Sequence, residues 1–227
     1  MNKTIRNKSL ICAAIVVAVL VVDQWLKIWI KTTFPIGGGI DMIGDWCKLY
    51  FVENEGMAFG MSFGGDAGKL VLSLFRIVAS ALIGYYIVRQ IKRDTRYTLL
   101  ISMALIFAGA VGNVIDCCFY GLIFDESTHW QVATAFPEYG GYGRFLHGKV
   151  VDMFYFPIWQ WTWPEWMPLL GGRNAEFFNA IFNVADSAVC VGVGLLIVDQ
   201  LFLAPKKSKS EESNSEENSV EQTKEEA

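Results

Sequence analysis

Four stretches of this chain are long and apolar enough to cross the hydrocarbon of a bilayer, about 30 Å or about 20 helical residues. They cover about 9–30, 70–88, 97–117 and 177–203. A sequence built this way can fold in few ways: the expected class is a membrane all-α protein, a bundle of four transmembrane helices. The composition agrees, with 53% of all residues apolar and 14% aromatic, too greasy for an ordinary soluble domain.

The first segment has a basic start and an apolar core, as a secretory signal would. No small-x-small cleavage site follows it; "DQWLKIWI" continues the helix instead, so the segment is read as retained. The last 23 residues, "PKKSKSEESNSEENSVEQTKEEA", hold 4 Lys against 7 Glu and no aromatic. Residues 1–204 are therefore expected to form the membrane domain and 205–227 a disordered acidic cytoplasmic tail.

Orientation follows from the basic residues. Lys3, Arg6 and Lys8 precede the first segment, Arg89, Lys92, Arg93 and Arg96 crowd the link between the second and third, and Lys206, Lys207 and Lys209 follow the fourth. Both termini are expected on the cytoplasmic side, with 31–69 and 118–176 facing outward. "FPIWQWTWPEWMP" lies in the outer region, and its four Trp suit either a membrane–water boundary or the packing of a loop.

Polar residues inside the apolar segments are costly and mark functional positions. Asp23 and Lys27 form an i, i+4 pair with the acid first, the favourable order for an ion pair; an internal salt bridge and a direct role at a site are both open to them. Asn113 and Asp116 stand at the outer end of the third segment. Asn179, Asn183 and Asp186 share one face if the fourth segment is helical from 177. Helical rise places all of these groups in the outer leaflet. Asp186 alone would fit a polar helix–helix contact, but "GKVVDMFYF" adds Asp152, another acid in an apolar run.

Two carboxylates in a partly dry pocket resist ionising together, so one keeps its proton. One base and one acid suit water-mediated peptide hydrolysis. From the residues alone, Asp116 competes with Asp152 for the second place. The two His, His129 and His147, fall in no HExxH motif, there is no CxxC, and "GGDAGKL" departs from the phosphate-loop pattern. Neither metal nor cofactor is expected, and no nucleic-acid partner. The five Cys are odd in number and mostly within apolar segments, and read as small buried hydrophobes.

Taken in order, "DQWLK" (23–27), "NEGMAFG" (54–60), "GAVGNVID" (109–116), "VVDMF" (150–154) and "FNVADS" (182–187) resemble the lipoprotein signal peptidase (type II signal peptidase) family of bacterial inner membranes. The resemblance implies a multi-pass aspartyl endopeptidase of the inner membrane. It would remove the signal peptide of a diacylglyceryl-modified prolipoprotein just before the lipidated Cys, working near the extracytoplasmic face among membrane lipids. By the match, Asp152 and Asp186 would be catalytic. Asp23, Lys27, Asp116, Asn113 and Asn183 would support the site, with Asn54 and Gly56 in an extracytoplasmic β cradle over it.

Two features depart from the family pattern. Cys117 stands where the family usually has Arg after "GNxxD", and Arg76, in the second segment, is expected to compensate by pairing with Asp116. The chain is also long between its motifs, so 118–148 and 155–176 read as outer loop insertions suited to a lid, a lipid contact or a partner surface. Two other functions fit an intramembrane acid pair: a proton-coupled transporter and an inactive lipopeptide-binding protein. Only four spans, no internal repeat and polar groups confined to one leaflet weigh against a transporter; the presence of both acids weighs against an inactive binder.

Overall fold

The computed structural model describes residues 3–55 and 65–203; Gly56 and the 205–227 tail lie outside them. Helices α1 (Lys3–Lys31), α2 (Gly65–Lys92) and α3 (Tyr97–Ile115) form as the apolar runs require. α3 continues through a π turn, Asp116–Tyr120, into the short α4 (Gly121–Ile123). The fourth long helix, α5, is Val184–Val198 with a π turn to Leu203. Together these supply four spans long and apolar enough to cross a membrane.

The bundle is apolar outside and polar inside. On α1 the buried positions include Lys8, Asp23, Lys27 and Lys31, while Leu10, Val17 and Val21 are exposed. On α2, Val71, Phe75 and Leu82 likewise face out. Such a surface is at ease only against lipid. α3 is the central helix, packed on α1, α2 and α5. Its approach to α5 and α1 depends on small residues: a Cβ at Gly109 would lie 2.2 Å from the Ala185 carbonyl oxygen on α5, and one at Gly112 would lie 2.8 Å from Asp23 Oδ2 on α1. Small residues at such crossings let helix backbones close up where no hydrophobic force between helices is available.

At one end of the bundle the α2–α3 turn is clamped. Lys8 Nζ donates to Asp94 Oδ1 at 2.5 Å and to the Thr95 carbonyl at 2.6 Å. Arg96 and Thr98 both donate to the buried Asp199.

At the opposite end sits a small antiparallel sheet made of β1 (Gly39–Ile43), β2 (Cys47–Asn54), β3 (Val150–Tyr155) and β6 (Ile181–Phe182), in the order β1-β2-β3-β6. A separate hairpin pairs β4 (Trp159–Thr162) with β5 (Asn174–Phe177). One sheet face carries Leu49, Phe51, Val151 and Met153, which pack with Ile30, Tyr120 and Phe124 into a core above the bundle. The 118–148 segment is folded into that core. Its chain is stitched down by Gly143 N–H to Gly121 O (2.8 Å), Tyr142 N–H to Phe124 O (2.9 Å) and Gly148 N–H to Cys117 O (2.9 Å).

The fourth helix differs from expectation. Asn183 is extended (φ −121°, ψ −177°) and caps α5, so the residues before it are strand and turn, not helix. Phe182 pairs with Phe154 across the sheet. Asn179 therefore shares no helix face with Asn183 and Asp186. The physical reason is the capping box: the Asn183 side chain takes the Asp186 N–H, and the Asp186 side chain takes the Asn183 N–H.

Candidate active site

The sheet and the ends of α1, α3 and α5 converge on one polar cluster. Asp152 stands on β3 opposite Val52, on the face turned away from Phe51 and Met153. It is 5% exposed. Asn54, two residues along β2 on the same face, donates from Nδ2 to Asp152 Oδ2 at 3.3 Å. Asn183 Nδ2 donates to Asp152 Oδ1 at 2.6 Å. The main-chain N–H of the same Asn183 donates to Asp186 Oδ2 at 3.2 Å. One residue thus holds both acids, and Asn113 Nδ2 adds a bond to Asp186 Oδ1 at 2.9 Å.

Burial, and next the negative charge of Asp186, push the Asp152 carboxyl up to about 7. Asn54 and Asn183 oppose the rise by donating to the charged form.

Beneath this pair lies a second layer. Lys27 Nζ sits between Asp23 Oδ2 (2.9 Å) and Asp116 Oδ2 (2.7 Å), all three side chains being fully buried. Its third proton goes to Asn113 Oδ1 at 2.9 Å. The other Asp23 oxygen accepts the Ala185 N–H at 2.8 Å and so holds the first turn of α5. The Asp23–Lys27 pair is therefore an internal salt bridge, extended to Asp116. Asp116 occupies the π turn, a distortion frequent at functional sites. It also accepts from Gln24 Nε2 at 2.9 Å.

Arg76 does not pair with Asp116, contrary to the expectation. Its Nη1 lies 3.3 Å from Cys117 Sγ, one residue further along. Lys27 and Gln24 already fill the Asp116 carboxylate, which removes the electrostatic reason for a guanidinium there. Asn54, Asn113, Asn183, Asp23, Lys27 and Asp116 all join the cluster with Asp152 and Asp186, whereas Arg76 stands beside it.

Two contributors escaped the sequence reading. Gln24 links Asp23, Asp116 and the Tyr120 hydroxyl. Lys31 is fully buried and donates to Glu53 and to Ser127, fastening β2 to the end of α1. The signal was present: Asp23, Lys27 and Lys31 are spaced by four along one helix face.

The chain is similar to known proteins over most of its length. The family model described as signal peptidase (SPase) II matches residues 15–202. The lipoprotein signal peptidase of Porphyromonas gingivalis is 47% identical over 189 residues, covering 83% of this chain and 81% of that protein. The lipoprotein signal peptidase of Amoebophilus asiaticus is 35% identical over 184 residues, covering 80% and 73%. A bacterial membrane enzyme solved by the in meso method at 1.9 Å superposes with a TM-score of 0.54 at 26% identity, covering 84% of this chain and 92% of its own. With matches of that extent on a four-span bundle, the chain belongs to the signal peptidase II family.

Proposed function

We propose that this chain, a membrane protease of lipoprotein signal peptides, cleaves with Asp152 and Asp186 as its catalytic pair. The observation that carries the reading is Asn183, which donates to Asp152 at 2.6 Å and to Asp186 at 3.2 Å, so that two acids share one support. With its carboxyl raised to about 7, Asp152 keeps a proton over a range where an ordinary aspartate has lost it.

The steps follow. Asp152, protonated, hydrogen-bonds the oxygen of the scissile carbonyl. Asp186, ionised, takes a proton from a water molecule as that water attacks the carbonyl carbon. The tetrahedral species then collapses, and the proton held by Asp186 passes to the leaving nitrogen as the C–N bond breaks. Asn183 and Asn113 hold the carboxylates in place, and Lys27 balances the two buried acids below them. The leaving nitrogen is the α-amine of the lipid-modified Cys of a prolipoprotein, and the signal peptide departs as the carboxylic acid.

The site is assigned to the extracytoplasmic face of the inner membrane, with both termini cytoplasmic. The basic residues at Lys3, Arg6, Lys8 and in the α2–α3 turn, at the end remote from the dyad, support that orientation.

The test is cleavage of a diacylglyceryl prolipoprotein in lipid by wild type, Asp152→Asn and Asp186→Asn. Each variant is expected to lose about 10²–10⁴-fold in rate while staying folded. Near-normal cleavage by either would overturn the dyad. A wild type that binds the lipopeptide without cutting it would make the chain a binding protein.

A further inference from the structure

The β4–β5 hairpin takes no part in the polar cluster, and its two faces differ. Trp159 and Trp161 lie on one face opposite Phe177 and Ala175, whereas Gln160 and Thr162 lie on the other opposite Glu176 and Asn174. The polar face is satisfied from within. Thr162 Oγ1 donates to Asn174 Oδ1 at 2.9 Å, Gln160 Nε2 to Glu176 at 3.3 Å, and Tyr155 at the end of β3 donates to Glu176 at 2.5 Å. That last bond ties the polar face back to the sheet.

Among the described residues the aromatic face is only partly covered. Trp161 meets Trp159 at a tilt and Trp163 edge on, with centroids 5.8 and 5.6 Å apart. Trp159 remains 67% exposed and Phe177 59%. A two-stranded hairpin is marginally stable in water at best, and a partly covered aromatic face makes that worse.

The identity of the cover is indicated by what the hairpin joins. At its root Phe156 stacks on Phe182 at 5.7 Å, and Phe178 meets Phe182 edge on at 6.0 Å. Phe182 is followed by the cap Asn183 and then by Val184, the first residue of a membrane-spanning helix. The series of rings is thus continuous with the lipid-facing surface of α5, where Val191 and Leu195 are exposed. Between 156 and 182 the only charged residues are Glu165, Arg173 and Glu176, and Glu176 is held on the polar face.

We propose that the aromatic face of the β4–β5 hairpin seats in the headgroup–acyl boundary of the bilayer, as an interfacial paddle beside the site. Indoles favour that layer, where one side is apolar and the other wet. The polar face then turns toward the sheet and water. The inference rests on α5 being a membrane span and not on the identity of the catalytic pair.

Spin labels test it without measuring cleavage. In a Cys190→Ser background the four remaining cysteines are buried. Single variants Trp159→Cys, Gln160→Cys, Trp161→Cys and Thr162→Cys are labelled, and the protein is placed in phosphatidylglycerol–phosphatidylethanolamine nanodiscs. Collisions with oxygen, which concentrates in hydrocarbon, are compared with collisions with a water-soluble nickel chelate. The expected result alternates, with a high oxygen-to-nickel ratio at 159 and 161 and a low one at 160 and 162. Equal nickel access at all four positions would place the hairpin in water and overturn the proposal. Low access to both reagents at 159 and 161 would mean protein cover, such as a second copy, and would overturn it too.

A second readout keeps the aromatic face intact. Brominated lipids should quench a larger share of the tryptophan emission of wild type than of Trp159→Phe/Trp161→Phe/Trp163→Phe; equal shares would contradict lipid seating.

Discussion

Lys27 Nζ donates to Asn113 Oδ1 at 2.9 Å, and this bond, with one from Asn183 Nδ2 at 3.2 Å, decides which way the Asn113 amide faces. With its oxygen claimed by an ammonium, only the amide nitrogen is left for Asp186, which it meets at 2.9 Å. A lysine bonded to neither proposed catalytic acid thereby helps aim a donor at one of them.

Lys27→Met should consequently fail in two ways. It leaves Asp23 and Asp116 buried without their cation, which costs about 3–5 kcal/mol. It also removes the shorter of the two bonds, from Lys27 and from Asn183, that hold the Asn113 oxygen. Denaturation in bicelles should show the loss of stability, and cleavage by the surviving folded fraction should be slow. A variant as stable as wild type would show that the acids are neutral or reached by water.

The pH profile carries a sign. Asp152 is proposed to act protonated, and its carboxyl lies at about 7; kcat/KM should then fall as pH rises through that value. Asn54 donates to the ionised form and lowers the value. Asn54→Ala should therefore move the alkaline limb to higher pH, besides slowing cleavage. A limb that moves down, or stays in place, would show that another group sets it.

Gly112→Ala tests the closeness of α3 to its neighbours. The new Cβ would meet Asp23 Oδ2 at 2.8 Å and Ala185 Cβ at 3.0 Å, an overpacking worth about 1–3 kcal/mol. Because Asp23 holds the Ala185 N–H, displacement there tilts the turn that bears Asp186. Gly194→Ala is the control, since nothing lies within 4 Å of its Cβ; it should be neutral or slightly stabilising in a helix. Thermal melts in lipid separate the two.

Arg76 brings a guanidinium to Cys117. Arg76→Ala is expected to reduce cleavage, and Arg76→Ala/Cys117→Arg to recover part of it, because a side chain at 117 points to the same place. Full activity in Arg76→Ala would remove the charge from any account of the site.

The sequence disclosed the bundle because lipid demands long apolar runs, and no soluble helix of this composition competes with that reading. It disclosed the acids because charge is rare in such runs. The start of α5 was misjudged since 177–182 is as apolar as a span; what stops the helix is one side chain, Asn183, competing for the Asp186 N–H. The hairpin was legible in hindsight, for Trp159-Gln160-Trp161-Thr162-Trp163 alternates with period two. The fold of 118–148 was not, because it rests on main-chain bonds such as Gly143 to Gly121 that carry no side-chain pattern. Between Asp116 and Asp152 the residues alone did not choose. The structure separates their settings: the first is neutralised by Lys27, while the second faces Asp186 across Asn183.

α1 is one uninterrupted helix that is gripped near its start by Asp94, at Lys27 by the acids below the site, and at Lys31 by the Glu53 strand. It works as a measuring rod. From Lys8 to Lys27 the rise is about 28 Å, close to the depth of the hydrocarbon. The height of the proposed cutting plane above the opposite boundary is therefore set by helical rise, not left to the lipid. A thicker or thinner bilayer would have to deform around the enzyme or tilt it, while a substrate anchored by its acyl chains would rise and fall with the membrane. With the proposed site at that height, the match between rod and bilayer thickness would become a determinant of which bond is presented for cleavage.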